Sequence, residues 1–158
     1  MMHSLYDLIL EAVINSEEAG AGNVDISLLE KDGQIFVTVE DDGTFEVEGD
    51  AFSLGYSSKG KYRGKGLWHI RNIDRDAMLC RAGKRTILRF SVPITIPHEP
   101  IEDGLFPIFQ RVGSTTLSYT KDDKMLFSIS RKRDRLQTVK EITSFKNEIR
   151  AIKGEHDV

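Results

Sequence analysis

The order of hydrophobic patterns in the first quarter of the chain is the feature that most constrains its fold. Segment 4–18 has apolar side chains at three- and four-residue spacing, which predicts an amphipathic helix. Segments 24–29 and 34–40 alternate apolar and polar residues, as half-buried strands do. Residues 30–33 end in glycine and predict a hairpin turn between the two strands. The helical face consists of Leu5, Leu8, Ile9, Ala12, Val13 and Ser16.

The middle of the chain predicts a long loop followed by further regular structure. Segment 44–66 holds glycines, serines and basic residues without periodicity, which is typical of a functional or mobile loop. A short helix is expected over 67–73, and strands over 77–81 and 85–92. Prolines follow and are expected to end the regular structure, so we place the first domain at residues 1–97.

The rest of the chain, an extension of unknown role over residues 98–158, predicts a second hairpin and a helix. The hairpin strands are expected over 114–120 and 124–130. The helix is expected over 134–153, where apolar residues follow helical spacing. This apolar face must be buried, either against the rest of the domain or against a second copy of the chain, which would give a homodimer.

Composition excludes several classes of protein. With 158 residues, 39% of them hydrophobic and 30% charged, the chain can bury a core and is not disordered. Its one cysteine, Cys80, excludes an internal disulfide framework and a cysteine-rich zinc site. No apolar run is long enough to cross a membrane, and the N-terminus lacks the features of a signal peptide. We therefore expect a cytoplasmic protein without membrane contact.

The charge is unevenly distributed along the chain. Residues 1–60 hold two basic and 13 acidic residues, a net of −11, whereas residues 61–100 hold nine basic and three acidic residues, a net of +6. Such separation indicates either a cation near one half and an anion near the other, or solvated faces that differ in sign. The basic residues at 131–135 are interpreted as a solvated hairpin end, so nucleic acid is not the expected partner.

Glu11 and Asn15 are four residues apart in the first predicted helix, so they lie on one face. A carboxylate and an amide oxygen placed this way can share a Mg²⁺ ion, which prefers oxygen ligands. An exposed, solvated helix face is the alternative for this pair.

Two further segments have ligand-binding chemistry. Asp41, Asp42 and Gly43 end the second predicted strand, where a carboxylate can accept a hydrogen bond from an exocyclic amine such as that of adenine. The loop at 55–66 places glycines among basic residues directly before a helix, whose N-terminal N–H groups can bind an anion. The alternatives are an ordinary turn and a flexible loop tip.

In this order, the three segments resemble the N, G1 and G2 boxes of the GHKL ATPases, which include DNA gyrase, a heat-shock chaperone, sensor histidine kinases and MutL. The segment LEAVINSEEAGA is similar to the MutL-type N box, and VEDDGTF to the G1 box. The segment FSLGYSSKGKYRGKGLWHIRNI is similar to the G2 region of citrate- and dicarboxylate-type sensor kinases, and GKRTILRFSVPI to the closing strand. The resemblance covers about residues 5–94. It implies an α+β Bergerat fold: a two-layer α/β sandwich with a mixed, mainly antiparallel sheet, here followed by the C-terminal hairpin and helix.

The resemblance also implies roles for single residues. Asn15 would bind Mg²⁺, and Glu11 stands where hydrolysing members keep their general base. Asp41 would bind the adenine amine, Gly43 would let the base approach the backbone, and Thr86 would support the adenine pocket. The ATP lid and the phosphate-binding helix start would comprise Lys59, Gly60, Arg63, Gly64, Gly66 and Leu67.

The resemblance has departures that leave the activity open. Phe45 replaces the second glycine of the G1 box. No phospho-accepting histidine is evident, and His69 is interpreted as a packed or surface residue. The leading hypothesis is an ATP- and Mg²⁺-binding subunit, histidine-kinase-like or an ATPase, that acts on a protein partner or phospho-acceptor. The alternatives are a nucleotide-binding adaptor or sensor without turnover, and an interaction protein whose C-terminal extension is the active part.

Overall fold

The structure is a computed structural model that describes residues 4–44 and 65–156, with the side chains of residues 65, 66, 155 and 156 excepted. The helices and strands are α1 Leu5–Glu18, β1 Asn23–Lys31, β2 Gln34–Asp41, α2 Lys65–Ile73, β3 Met78–Ala82, β4 Arg85–Pro93, α3 Ile101–Phe109, β5 Ser114–Lys121, β6 Lys124–Lys132 and α4 Val139–His156.

The strands form one six-stranded sheet in the order β3-β4-β2-β1-β5-β6. Every pair of neighbours is antiparallel except β1 and β5, which are parallel. Alternate residues of β1, β2, β4 and β5 are buried, so one face of the sheet meets the helices and the other is more exposed. The predicted α+β, two-layer sandwich with a mixed, mainly antiparallel sheet is confirmed.

Helix α1 begins with a capping box at Ser4. The Ser4 hydroxyl accepts a hydrogen bond from the N–H of Asp7 at 3.1 Å, and the Asp7 carboxylate accepts one from the N–H of Ser4 at 3.4 Å. The helix ends before Gly20, which has a φ of +80°. The face predicted from the apolar spacing is the buried one, and it includes Ser16.

The two predicted hairpins are confirmed, and their turns use the same backbone conformation. Asp32 and Gly33 have φ values of 53° and 76°, and Asp122 and Asp123 have 49° and 67°. Two successive positive φ values give the turn whose twist matches that of the flanking strands.

Helix α3 contradicts the expectation that the prolines end the regular structure. Pro100 occupies the N-cap position and Pro107 lies inside the helix. Proline has no backbone N–H to donate. At the N-cap this costs no hydrogen bond, because the first N–H groups of a helix have no intrahelical acceptor. Ile101, Leu105 and Ile108 recur at helical spacing and are buried.

The residues after 97 belong to the same sheet and the same core as those before it. Strand β5 pairs with β1 along its whole length, from Ser114 beside Asn23 to Lys121 beside Glu30. The predicted boundary at residue 97 lies between the end of β4 at Pro93 and the start of α3 at Ile101, and the sheet continues after it through β5 and β6.

Helix α4 buries its apolar face against the same chain. Phe145 and Ile149 are buried, and the Phe145 ring lies 5.0 Å from that of Phe109 in α3, measured between centroids. A capping box joins Thr138 and Glu141: Thr138 N–H donates to Oε1 of Glu141, and Glu141 N–H donates to Oγ1 of Thr138, both at 3.1 Å. Phe145 and Ile149 of this face therefore pack within the chain, and the homodimer stays a prediction.

Among the described residues, no helix is long and apolar enough to cross a membrane.

Candidate functional site

Asp41 is a buried carboxylate at the end of β2, only 5% exposed. Its Oδ2 accepts a hydrogen bond from the Ser16 hydroxyl at 2.6 Å, and its Oδ1 accepts one from the N–H of Gly43 at 2.8 Å. These two contacts fix the carboxylate between α1 and the end of β2. Each oxygen can still accept a further hydrogen bond, because a carboxylate oxygen has two lone pairs.

The Asp41 side chain lines a cleft that is partly open to solvent. The cleft combines polar groups from three elements with apolar walls from α1, α2 and the sheet. Such a mixture of apolar walls and a few polar groups is typical of a small-molecule site. Its lining consists of Ala12, Asn15, Ser16, Val39, Asp41, Leu67, Leu79, Thr86 and Leu88.

Gly43 lies where no larger residue fits without a shift. A Cβ atom there would lie 3.0 Å from the Cβ and the carbonyl oxygen of Ala19, and 3.0 Å from Oδ1 of Asp41. The next residue, Thr44, donates its N–H to the same Ala19 carbonyl at 2.9 Å. The glycine thus lets the strand end approach α1 closely, which keeps the Asp41 carboxylate in place.

Thr86 faces Asp41 across the β2–β4 ladder, and its side chain is 4% exposed. Its hydroxyl oxygen accepts a hydrogen bond from Nη1 of Arg81 at 2.6 Å, and the same nitrogen donates to the carbonyl of Gly43 at 2.6 Å. The Arg81 side chain therefore links the end of β2 to the β3–β4 hairpin.

Glu11 and Asn15 lie on one side of α1, as the sequence predicts. Asn15 lines the cleft, and its Nδ2 is buried without a hydrogen-bond partner among the described residues. Oε1 of Glu11 lies 3.2 Å from Nδ1 of His69 in α2, and the two side chains are 26% and 22% exposed. His69 is thus a packed residue that contacts the candidate base.

Asp42 performs a different task from its neighbour Asp41. It faces the turn between α1 and β1, where it accepts hydrogen bonds from the side chain and the N–H of Asn23 and from the N–H of Gly22, at 2.8–3.0 Å. These hydrogen bonds, that of the Asn23 side chain foremost, hold the pKa of the Asp42 carboxyl below its usual value. Asp42 therefore fixes the turn that precedes β1.

The described residues include only part of the predicted phosphate-binding segment. Leu67 is buried and lines the cleft, and Gly66 lies in the first turn of α2. The remaining predicted lid residues and the G1-box departure lie outside the described residues; they are Phe45, Lys59, Gly60, Arg63 and Gly64.

Comparison with solved structures finds a likeness in fold, whereas two comparisons of sequence find nothing. A search against models of protein families finds no match, and a search of curated proteins finds none either. Among solved structures, the chain is similar to the Aquifex aeolicus MutL ATPase domain complexed with ADP. The two chains share 13% identity and a TM-score of 0.46 over 94% of this chain and 70% of that chain.

The sequence patterns do not predict the contacts that Ser16, Arg81 and His69 make in the site. The apolar spacing places Ser16 on the buried face of α1, where a hydroxyl among apolar residues itself indicates a buried hydrogen-bond partner. No local sequence pattern marks the contacts of Arg81, because the pairing of strands brings it to Thr86 and Gly43. The contact of His69 with Glu11 likewise depends on the packing of α2 on α1.

Proposed function

We propose that this chain is an ATP-binding domain of the GHKL type that takes the adenine base in the cleft at Asp41. The observation that carries this proposal is the buried Asp41 carboxylate, which is held by Ser16 and Gly43 and still has lone pairs toward the cleft. A buried, fixed acceptor selects a ligand that carries an N–H donor, because an unpaired polar group there costs free energy. The exocyclic amine of adenine is such a donor.

The apolar walls of the cleft support the same ligand. Leu67, Leu79 and Leu88 line it together with Val39 and Ala12. A purine ring is flat and apolar on both faces, so it gains contacts and loses unfavourable hydration between such side chains. The order of the N, G1 and G2 segments along the chain adds to this support.

We propose Asn15 as the residue that would hold Mg²⁺ when ATP is bound. Its amide lies at the cleft with a buried nitrogen that has no partner among the described residues, so the amide is free to turn its oxygen toward a ligand. Mg²⁺ keeps several waters and is typically bound by one or two protein oxygens plus substrate phosphates, so a single amide fits this role. The ion would neutralise charge on the phosphates.

The proposed biological role is that of a histidine-kinase-like or ATPase subunit that acts on a protein partner. Glu11, one helical turn before Asn15, would be the general base for a water molecule or for an acceptor hydroxyl. Lys59, Gly60, Arg63 and Gly64 are proposed to contact the phosphates.

Calorimetric titration of ATP and GTP, with and without Mg²⁺, tests the proposal. Asp41→Asn places an NH₂ donor beside the adenine amine and is expected to weaken ATP binding by roughly 10- to 100-fold. Asp25→Asn is the matched control, because Asp25 is exposed and pairs with Arg85 away from the cleft. Equal ATP affinity in the parent and in Asp41→Asn, or no binding by the parent, would refute the assignment.

A further inference from the structure

The guanidinium of Arg81 is hydrogen-bonded to the side chain of Thr86. A single nitrogen, Nη1, donates to Oγ1 of Thr86 and to the carbonyl of Gly43, each at 2.6 Å. This nitrogen has two hydrogens, so it can serve both acceptors at once. Both carbonyl and hydroxyl are therefore held as acceptors of Arg81.

A hydroxyl that accepts from Arg81 still has its one hydrogen to donate. Within residues 4–44 and 65–156, the Thr86 hydroxyl has no acceptor for that hydrogen. Thr86 is 4% exposed and lines the cleft, so a ligand in the cleft is the available acceptor, directly or through one water. A guanidinium has only donors, so the Thr86 hydroxyl cannot donate its hydrogen to Arg81.

The cleft therefore offers two different groups side by side. Asp41 presents an acceptor and Thr86 presents a donor, and the two residues are direct neighbours across the β2–β4 ladder. A 6-aminopurine has the complementary edge, with a donor amine at C6 beside the acceptor N1. A 6-oxopurine has the reverse edge, with an acceptor oxygen at C6 beside an N1–H donor.

We infer that Arg81 is a positioning residue that fixes Thr86 as a donor and so makes the cleft select 6-aminopurines over 6-oxopurines at two adjacent atoms. This inference rests on the proposed function, because it concerns the base in that same cleft. It concerns a residue outside the three segments that resemble the nucleotide-binding boxes.

The test compares ATP with 1-deaza-ATP, in which a C–H group replaces the acceptor N1. The parent protein is expected to bind ATP about tenfold more tightly than 1-deaza-ATP, the effect of one hydrogen bond to a buried partner. Arg81→Met keeps the aliphatic stem but removes the donor, so this ratio is expected to fall to about twofold. The relative affinity for ITP and GTP is expected to rise in the same variant.

Arg85→Met is the matched control. Arg85 lies on the same hairpin and pairs with Glu40 and Asp25, away from the cleft, so its loss should leave the ratio of ATP to 1-deaza-ATP affinity at the parent value. Thr86→Val, tested in the presence of Arg81, removes the donor itself and should bring the ratio to about one. If Arg81→Met fails to fold, an undiminished ratio in Thr86→Val would still overturn the inference, because the inference requires the Thr86 hydroxyl to be the donor.

The outcomes separate this inference from the proposed function. A parent that binds ATP but does not distinguish 1-deaza-ATP, or an Arg81→Met variant that loses equal affinity for both ligands, would overturn the role of Arg81 and leave ATP binding intact. A parent that binds no adenine nucleotide would overturn both. A reduced ratio in Arg81→Met with an unchanged ratio in Arg85→Met would support the inference.

Discussion

Nδ1 of His69 lies 3.2 Å from Oε1 of Glu11, so a side chain of α2 contacts the carboxylate that α1 places one turn before Asn15. A general base acts well only when its carboxylate is held in a defined orientation toward the proton it removes. The contact joins the two helices that form one side of the cleft. It therefore gives a physical reason to test both residues for an effect on turnover.

Glu11→Gln is expected to leave ATP affinity nearly unchanged and to lower any ATP turnover by about a hundredfold. Glutamine has the same shape but cannot accept a proton, and general-base catalysis typically contributes roughly 10²–10⁴-fold. Nucleotide titration and product release from labelled ATP measure the two effects separately. Unchanged turnover in this variant would remove Glu11 from the mechanism.

His69→Phe is expected to lower turnover by about tenfold while ATP affinity stays close to that of the parent. Without the His69 contact the Glu11 carboxylate is less well oriented, which slows the chemical step but does not weaken substrate binding. His69→Asn is the matched control, since an amide placed near the position of Nδ1 can still hydrogen-bond Glu11. Turnover rates for the three proteins would decide the matter. Equal losses in both variants would mean that His69 matters for packing alone.

Asn15→Ala is expected to abolish the effect of Mg²⁺ on ATP affinity while weak, Mg²⁺-independent binding remains. The expectation follows from the amide at the cleft, which is the proposed protein ligand for the ion. Titrations with and without Mg²⁺ provide the measurement. Asn147→Ala on α4 is the control, because Asn147 contacts Arg150 away from the cleft; persistence of the Mg²⁺ effect in Asn15→Ala would contradict the assignment.

The sequence predicts the parts of this fold that depend on local pattern. The amphipathic face of α1 and the turns at 30–33 and 121–123 depend on residues that are close together in the sequence. Hydrophobic periodicity and turn-forming residues are therefore sufficient to predict them. The parallel pairing of β5 with β1 joins residues about 90 positions apart, and no local pattern marks it. The prolines do not predict helix α3, because a proline such as Pro100 can stand at the start of a helix as well as end regular structure.

Only part of the candidate site can be predicted from local sequence motifs. Asp41, Gly43 and Asn15 are found from short motifs and their order. The structure adds the donors that hold Asp41, namely Ser16 and the N–H of Gly43, and the link from Arg81 to Thr86. These contacts arise from the packing of α1 on the sheet and from strand register, so they require the tertiary structure.

Gly104→Ala is expected to destabilise the protein by about 1–3 kcal/mol, the usual cost of overpacking a well-packed core. A Cβ at Gly104 in α3 would lie 2.4 Å from the ring of Tyr6 in α1, far inside van der Waals contact. Gly154→Ala in α4 is the matched control, because a Cβ there meets no atom within 4 Å and alanine favours the helix. Denaturant unfolding measures both; equal stability of Gly104→Ala and the parent would show that α3 and α1 do not pack as described.

Asp42→Asn is expected to lower the free energy of unfolding by roughly 1 kcal/mol near neutral pH, with solvent screening at this exposed site allowed for. The asparagine oxygen can still accept from the N–H groups of Gly22 and Asn23, but the variant loses the negative charge and the acceptor for the Asn23 side chain. The pKa of Asp42 is lowered in the folded protein, chiefly by the Asn23 side chain. A carboxyl with a lowered folded pKa stabilises the protein fully above its unfolded pKa, about 3.9, and this contribution is lost as the pH falls through the folded pKa. The difference between the parent and the variant should therefore be constant from pH 7 to about pH 5 and shrink below about pH 4. Urea unfolding of both proteins at pH 7, 5, 4 and 3 gives this difference directly. A difference of the same size at pH 7 and at pH 3 would mean that the charge of Asp42 does not contribute to holding the turn between α1 and β1.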